Sequence, residues 1–292
     1  MLNNVRTFKG VKTLKSLLMQ KRGVSLSNFK PNKLVELSFN DKTGIATVSM
    51  NRPPVNAFDR GHFLALQETL QKLEDNKECR GMILASSRDN IFSAGLDVAE
   101  FNFDDLERVA AFWTLFQDIW LKLFTTSYPT VAAINGYCPA GSCVMSLACE
   151  YRVMVADPRF RIGLNEVHLG IVAPKWALLA TRDTVSYRPA ELALTTGKMF
   201  SPEEAQTLGL VDELAKDKVD ALSKAEKFLV ENFSSVNPIA RKLTKLSLRE
   251  PTTNWLMKNK KWDLDFFMDH FSKPDVQENL RNYMENLKNK KK

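Results

Sequence analysis

The chain has 292 residues, of which 44% are apolar and 26% charged, enough for one large globular domain or two ordinary ones. Its formal charge of +7 is concentrated in a leader: residues 1 to 35 hold eight Lys or Arg and no acid, leaving about −1 for the remainder. That distribution argues against nucleic acid as a partner of the folded body, and no run approaches about 18 apolar residues, so no membrane span is expected.

The leader is basic and free of acids. Val5, Phe8, Val11 or Leu14, and Leu17-Leu18 can share one helical face, with Arg6, Lys9, Lys12 and Lys15 largely off it. This is the pattern of a mitochondrial presequence, the alternative being a disordered basic tail. The four cysteines, Cys79, Cys138, Cys143 and Cys149, form no CxxC pair, and the three histidines lie at unrelated spacings. Neither a zinc site nor a disulfide framework is expected.

Leu34–Phe39 and Ile45–Met50 are alternating runs around Asn40–Gly44, which reads as a hairpin turn. Asn51-Arg52-Pro53-Pro54 ends the second strand. Phe63, Leu66, Leu70 and Leu73 mark one face of an amphipathic helix, and Met82–Ala85 a buried strand. Asn90 to Val98 reads as a loop with small residues at its centre. A long helix then carries Leu106, Val109, Trp113, Phe116, Trp120 and Leu123 on one stripe, a core pattern more than a ligand cradle.

Pro129–Ile134 is a further strand, feeding a turn at Gly136–Ser142 and a helix at Val144–Cys149. Arg152–Val155 and Phe160–Ile162 read as strands. From Pro174 onward strand signals stop, and residues 201–208, 217–235, 238–249 and 274–289 read as helices. An α/β front half thus precedes an all-helical back half, which could pack on its own core or on a neighbouring subunit.

Two stretches could carry chemistry. A strand running through a glycine turn into a helix presents unpaired N–H groups, and Gly141 lets a ligand approach that backbone. The Ser93-Ala94-Gly95-Leu96 loop offers a second approach. Two N–H groups converging on one oxygen would form an oxyanion hole, although by spacing alone both loops read more readily as ordinary tight turns. Glu166 stands in an otherwise apolar run, where desolvation would make it a stronger base; a surface carboxylate on a short turn is an equal alternative. His168 reads as structural. No Gly-x-Ser-x-Gly elbow, Gly-x-Gly-x-x-Gly or Walker lysine occurs.

Asn51-Arg52-Pro53 with Asn56-Ala57, Phe92-Ser93-Ala94-Gly95-Leu96-Asp97, and Ile134-Asn135-Gly136 with Pro139-Ala140-Gly141-Ser142-Cys143 together resemble the crotonase (enoyl-CoA hydratase/isomerase) superfamily. The segment Gly163-Leu164-Asn165-Glu166 through Pro174 is most similar to its isomerase branch. The resemblance implies an α/β fold: a ββα spiral core over 31–215 and a C-terminal helical trimerisation region over 216–292, behind a leader of residues 1–30. It implies an acyl-CoA thioester substrate, a homotrimer, a mitochondrial matrix location, and no metal or cofactor beyond the coenzyme A of the substrate.

The resemblance also assigns residues. The thioester oxygen would lie between the amides of Leu96 and Gly141, Ala94, Gly95, Leu96, Asp97, Val98 and Gly141 would line the substrate, and Glu166 would be the catalytic base. Hydratases of the superfamily carry two carboxylates, one just after the glycine turn. Here that position is Val144, which argues for double-bond isomerisation from 3-enoyl-CoA to trans-2-enoyl-CoA. Hydration, another acyl-CoA reaction, or a non-catalytic RNA-binding homologue are the alternatives. Ser142 stands where isomerases usually have glycine.

Overall fold

The structure, a computed structural model, describes residues 33–101 and 104–289. The expected presequence lies outside them. Strands β1 (Val35–Asn40) and β2 (Ile45–Met50) pair as the antiparallel hairpin expected. Gly44 closes their turn at φ +72, and a Cβ there would meet the Glu78 carbonyl oxygen at 2.7 Å, so a glycine is required.

Helix α1 (Arg60–Asp75) starts at Asp59, whose carboxylate accepts from the His62 amide, and buries the four apolar residues whose spacing predicted it. Strand β3 (Gly81–Ser86), β4 (Asn90–Ile91) and α2 (Leu106–Phe124) follow. The stripe on α2 is buried from Val109 to Leu123, but Leu106, at the first position of the helix, is exposed.

Next come β5 (Thr130–Ile134), β6 (Gly136–Pro139), α3 (Gly141–Ala148), β7 (Tyr151–Val155) and β8 (Ile162–Gly163). The back half holds α4 (Lys175–Val185), α5 (Tyr187–Thr196), α6 (Pro202–Leu208), β9 (Glu213–Ala215), α7 (Lys218–Phe233), α8 (Pro238–Phe271) and α9 (Pro274–Asn289).

The larger sheet has the order β1-β2-β3-β5-β7-β9, parallel from β2 onward, and β4-β6-β8 make a smaller parallel sheet. Successive turns of the chain therefore lay one strand in each sheet, with α2 and α3 in the connections. This is the ββα spiral, and it stacks the loops after β4, β6 and β8 at one edge.

Several elements depart from the sequence reading. The loop expected at 90–98 contains β4, and the turn expected at 136–142 is β6 followed at once by α3. The strand read at Phe160–Ile162 is displaced to β8. β9 was not anticipated, because three residues carry no periodicity; it exists because β7 offers an open parallel edge. Helices α4 and α5 were also missed.

The helix expected to stop at residue 249 continues through Pro251 to a kink at Asn259, beyond which a second helical stretch runs to Phe271. Burial of the apolar Leu256, Phe267 and Phe271 outweighs the helix-breaking cost of a proline. Helix α8 packs on α2 and α4 of its own chain. Among the described residues no helix is long and apolar enough to cross a membrane.

Candidate active site

The Leu96 amide is aimed by a one-residue parallel bridge. Phe58 pairs with Leu96, donating its N–H to Gly95 O at 2.8 Å and accepting from Asp97 N at 2.9 Å. In such a bridge the flanking residues make the bonds, and the Leu96 N–H points away from them. The loop is fixed from below: Ser93 Oγ donates to Asn56 O at 2.6 Å and accepts from Gly95 N at 3.1 Å. Asn56 is fully buried and donates to Ser86 Oγ and Phe92 O.

Gly141 opens α3. Ala140 before it adopts φ +48, ψ −126, a left-handed conformation rare for a residue with a Cβ. The turn is held because Ala140 N donates to Gly163 O at 2.8 Å, which ties the glycine turn directly to the segment bearing Glu166. Neither the Leu96 nor the Gly141 amide has an acceptor among the described residues. They lie close together: a Cβ on Gly141 would sit 3.2 Å from Leu96 N. Any side chain there would fill the space in front of the donors.

Glu166 begins a single 3-10 turn, Glu166–Leu169, and is 8% exposed. Its Oε2 is buried with no hydrogen-bond partner. Burial pushes its carboxyl up to about 7, opposed only by its own backbone amide. A buried carboxylate that has no cation and leaves one oxygen without a donor is costly and therefore suspect as functional.

One cavity of about 370 Å³ brings these groups together: Leu96, Gly141, Glu166 and Val144 all line it. Of the other residues expected to line a substrate, Ala94, Asp97 and Val98 do so. Gly95 does not; it lies behind, at φ +84, where a Cβ would meet Gly141 N at 3.2 Å. The Asp97 carboxylate is engaged by Arg52 and by Ala99 N. Ser142 is buried with its hydroxyl turned back to Pro139 O at 2.6 Å and is not part of the wall. His168 is exposed and packs beside Gly197.

Sequence reasoning missed the aromatic wall and the roof. Trp113 and Phe116 were read only as core, yet they also face the cavity, joined by Phe271, Leu280 and Tyr283 from α8 and α9. Nothing in the local pattern of the C-terminal helices marks them as lining a site. Among the described residues no cluster of His, Cys, Asp or Glu could hold a metal ion.

A family model described as Enoyl-CoA hydratase/isomerase matches residues 40–292. The chain belongs to the enoyl-CoA hydratase/isomerase family. Among curated members, "Enoyl-CoA delta isomerase 1, mitochondrial" of Mus musculus is 38% identical over 260 residues, covering 89% of each chain. The Homo sapiens protein of the same name is 37% identical over 248 residues, 85% of this chain and 82% of its own. The crystal structure of human mitochondrial delta3-delta2-enoyl-CoA isomerase superposes with TM-score 0.86 at 36% identity, covering 89% of this chain and all of that one. An enoyl-CoA hydratase from Bacillus halodurans shares the family fold at TM-score 0.76 and 22% identity, covering 85% of this chain and 99% of that one.

Proposed function

We propose that this chain is a Δ3,Δ2-enoyl-CoA isomerase that converts 3-cis- or 3-trans-enoyl-CoA to trans-2-enoyl-CoA in the β-oxidation of unsaturated fatty acids. The observation that carries the reading is one buried carboxylate with an unpartnered oxygen, sharing a cavity with two unpartnered amides, with an apolar residue where a second acid would stand. The names of the mammalian relatives support it.

Ionised Glu166 takes the C2 proton of the thioester. The electron pair moves through C2 and C1 onto the thioester oxygen, which the Leu96 and Gly141 amides hold; each donor is worth ~3–4 kcal/mol once charge develops there. The carboxyl, now protonated, returns the proton to C4, and the double bond moves from C3–C4 to C2–C3. A base near pKa 7 suits both halves, since it must accept a proton and then release it. No metal or redox cofactor enters these steps.

Hydration is the competing reading. It needs a water activated and placed by two carboxylates, and Val144, 1% exposed on the cavity wall, offers none. A matrix location is supported by the basic leader and by the relatives' names. A homotrimer would cover exposed apolar side chains such as Tyr187, Trp262 and Phe266.

The test is direct. The protein is incubated with 3-enoyl-CoA and separately with trans-2-enoyl-CoA. Isomerised product from the first and no 3-hydroxyacyl product from the second is expected. Hydrated product forming at a comparable rate would overturn the isomerase assignment.

A further inference from the structure

Arg52 lies just past the end of β2, and each of its three guanidinium nitrogens donates a hydrogen bond within the protein. Nε donates to Asp59 Oδ2 at 2.7 Å, Nη2 to Asp97 Oδ2 at 2.7 Å, and Nη1 to Ala57 O at 3.1 Å. Its backbone is held as well: Arg52 N donates to Asn56 Oδ1 at 2.7 Å and Asn56 N to Arg52 O at 2.8 Å. Each carboxylate has a second duty. Asp59 Oδ1 caps α1 through His62 N, and Asp97 Oδ1 caps the short 3-10 turn Val98–Glu100 through Ala99 N.

The segments so joined are the two sides of the Phe58–Leu96 bridge. That bridge is a single pair wide and rests on two backbone hydrogen bonds. Arg52 grips both sides at once: Ala57 and Asp59 flank Phe58, and Asp97 follows Leu96. A planar fork with fixed donor directions can hold two carboxylates and a carbonyl in one geometry, which a single ammonium cannot.

We propose that Arg52 is a positioning residue for the oxyanion hole: through Asp59 and Asp97 it fixes the direction of the Leu96 N–H. This rests on the reading of Leu96 and Gly141 as oxyanion donors. Arg52 also lines the cavity, so a direct grip on the anionic part of coenzyme A is the rival role. The two roles predict different losses. Misdirecting a donor weakens binding only where charge has developed on the thioester oxygen, whereas losing a phosphate contact weakens every coenzyme A ligand alike.

The experiment compares two ligands, acetoacetyl-CoA, whose bound enolate is followed by its ultraviolet absorbance, and saturated hexanoyl-CoA. Dissociation constants are measured for the full-length wild type, Arg52→Lys and Arg52→Gln, with kcat and KM on 3-enoyl-CoA. Both variants should weaken enolate binding about 10- to 100-fold, the cost of a misplaced catalytic contact. Hexanoyl-CoA affinity should change by less than about threefold and kcat should fall with KM nearly constant. Arg52→Lys should fare no better than Arg52→Gln, because it keeps the charge and loses the fork. Should either variant fail to fold, Asp97→Asn breaks one arm of the clamp and should show the same selective loss at smaller size. Equal weakening of both ligands, or a normal Arg52→Lys enzyme, overturns the positioning role. A wild type that binds the enolate no more tightly than hexanoyl-CoA overturns the oxyanion assignment itself, and the positioning role with it.

Discussion

The two ends of α3 are built on opposite principles. At its N-terminus the Gly141 amide has no acceptor, Ala140 sits in a left-handed conformation, and Glu166 across the cavity leaves one buried oxygen unpartnered. At its C-terminus the exposed carbonyls are met by donors. Arg249 donates to Phe124 O, Ala148 O and Cys149 O, and Arg152 adds a bond to Cys149 O, so cations meet the negative end of the helix.

Glu150, two residues past that end, accepts from Lys245 Nζ at 2.9 Å, Thr130 N at 3.1 Å and Arg241 Nη2 at 3.0 Å. Burial pushes the Glu150 carboxyl up, but Lys245 and Arg241 outweigh it and hold the group below its ordinary value. Glu166 is more deeply buried than Glu150 and has no cation, so it goes the other way. A satisfied carboxylate builds architecture, and an unsatisfied one can move a proton.

The sharpest way to break this contrast is to neutralise each acid. Glu166→Gln should lower isomerase turnover by ~10² to 10⁴-fold, measured on 3-enoyl-CoA. A variant retaining near-normal rate would remove Glu166 from the mechanism. Glu150→Gln should instead destabilise by ~3–5 kcal/mol, since Lys245 and Arg241 lose a buried counter-charge. Denaturant unfolding reads the loss, and the folded fraction should keep its turnover.

The pH dependence should differ in sign. Glu166 titrates at about 7 when folded and near the ordinary ~4.3 when unfolded. The folded state therefore holds its proton longer, and this contribution to stability is lost as pH rises from about 4.5 to about 7. Glu166→Gln should recover about 3–4 kcal/mol at pH 8 and almost nothing at pH 4, which thermal melts at the two pH values would show. Glu150, held below its ordinary value, stabilises at neutral pH and gives that up as the solution turns acid. A Glu150→Gln protein should lose that acid-side dependence.

Turnover itself should rise with pH through one ionisation near 7, because only ionised Glu166 can accept the C2 proton. A kcat/KM profile flat from pH 5 to 9 would contradict it. The smallest effect is expected from Ala140→Gly. Relieving the left-handed strain should add about 1 kcal/mol of stability, while the looser turn lets the Gly141 amide wander and trims kcat. If both stability and kcat rise, the turn is not holding the donor in place.

What the sequence determines here is the order of the spiral and the candidates for its reacting groups. Alternation and helical spacing located β1, β2, α1 and α2, because each buries one face and writes that face as a period, whereas β3 and β5, buried on both faces, were legible as short continuous apolar runs. The lone acid at Glu166 and the small residues at Gly95 and Gly141 were legible as candidates because apolar neighbours and missing side chains are local facts. The tertiary structure alone decided the rest.

β9 exists because β7 leaves an edge to pair with, α8 crosses Pro251 because its buried side chains hold it to α2 and α4, and both depend on partners distant in the chain. The same holds for the site. Leu96 points its N–H into the cavity because Phe58 pairs beside it, and α8 and α9 roof the cavity with Phe271, Leu280 and Tyr283. Glu166 is pushed up to about 7, as the proposed base should be, because packing removed water from it and supplied no cation. Desolvation is a property of everything that surrounds a group, and a sequence lists only its neighbours along the chain.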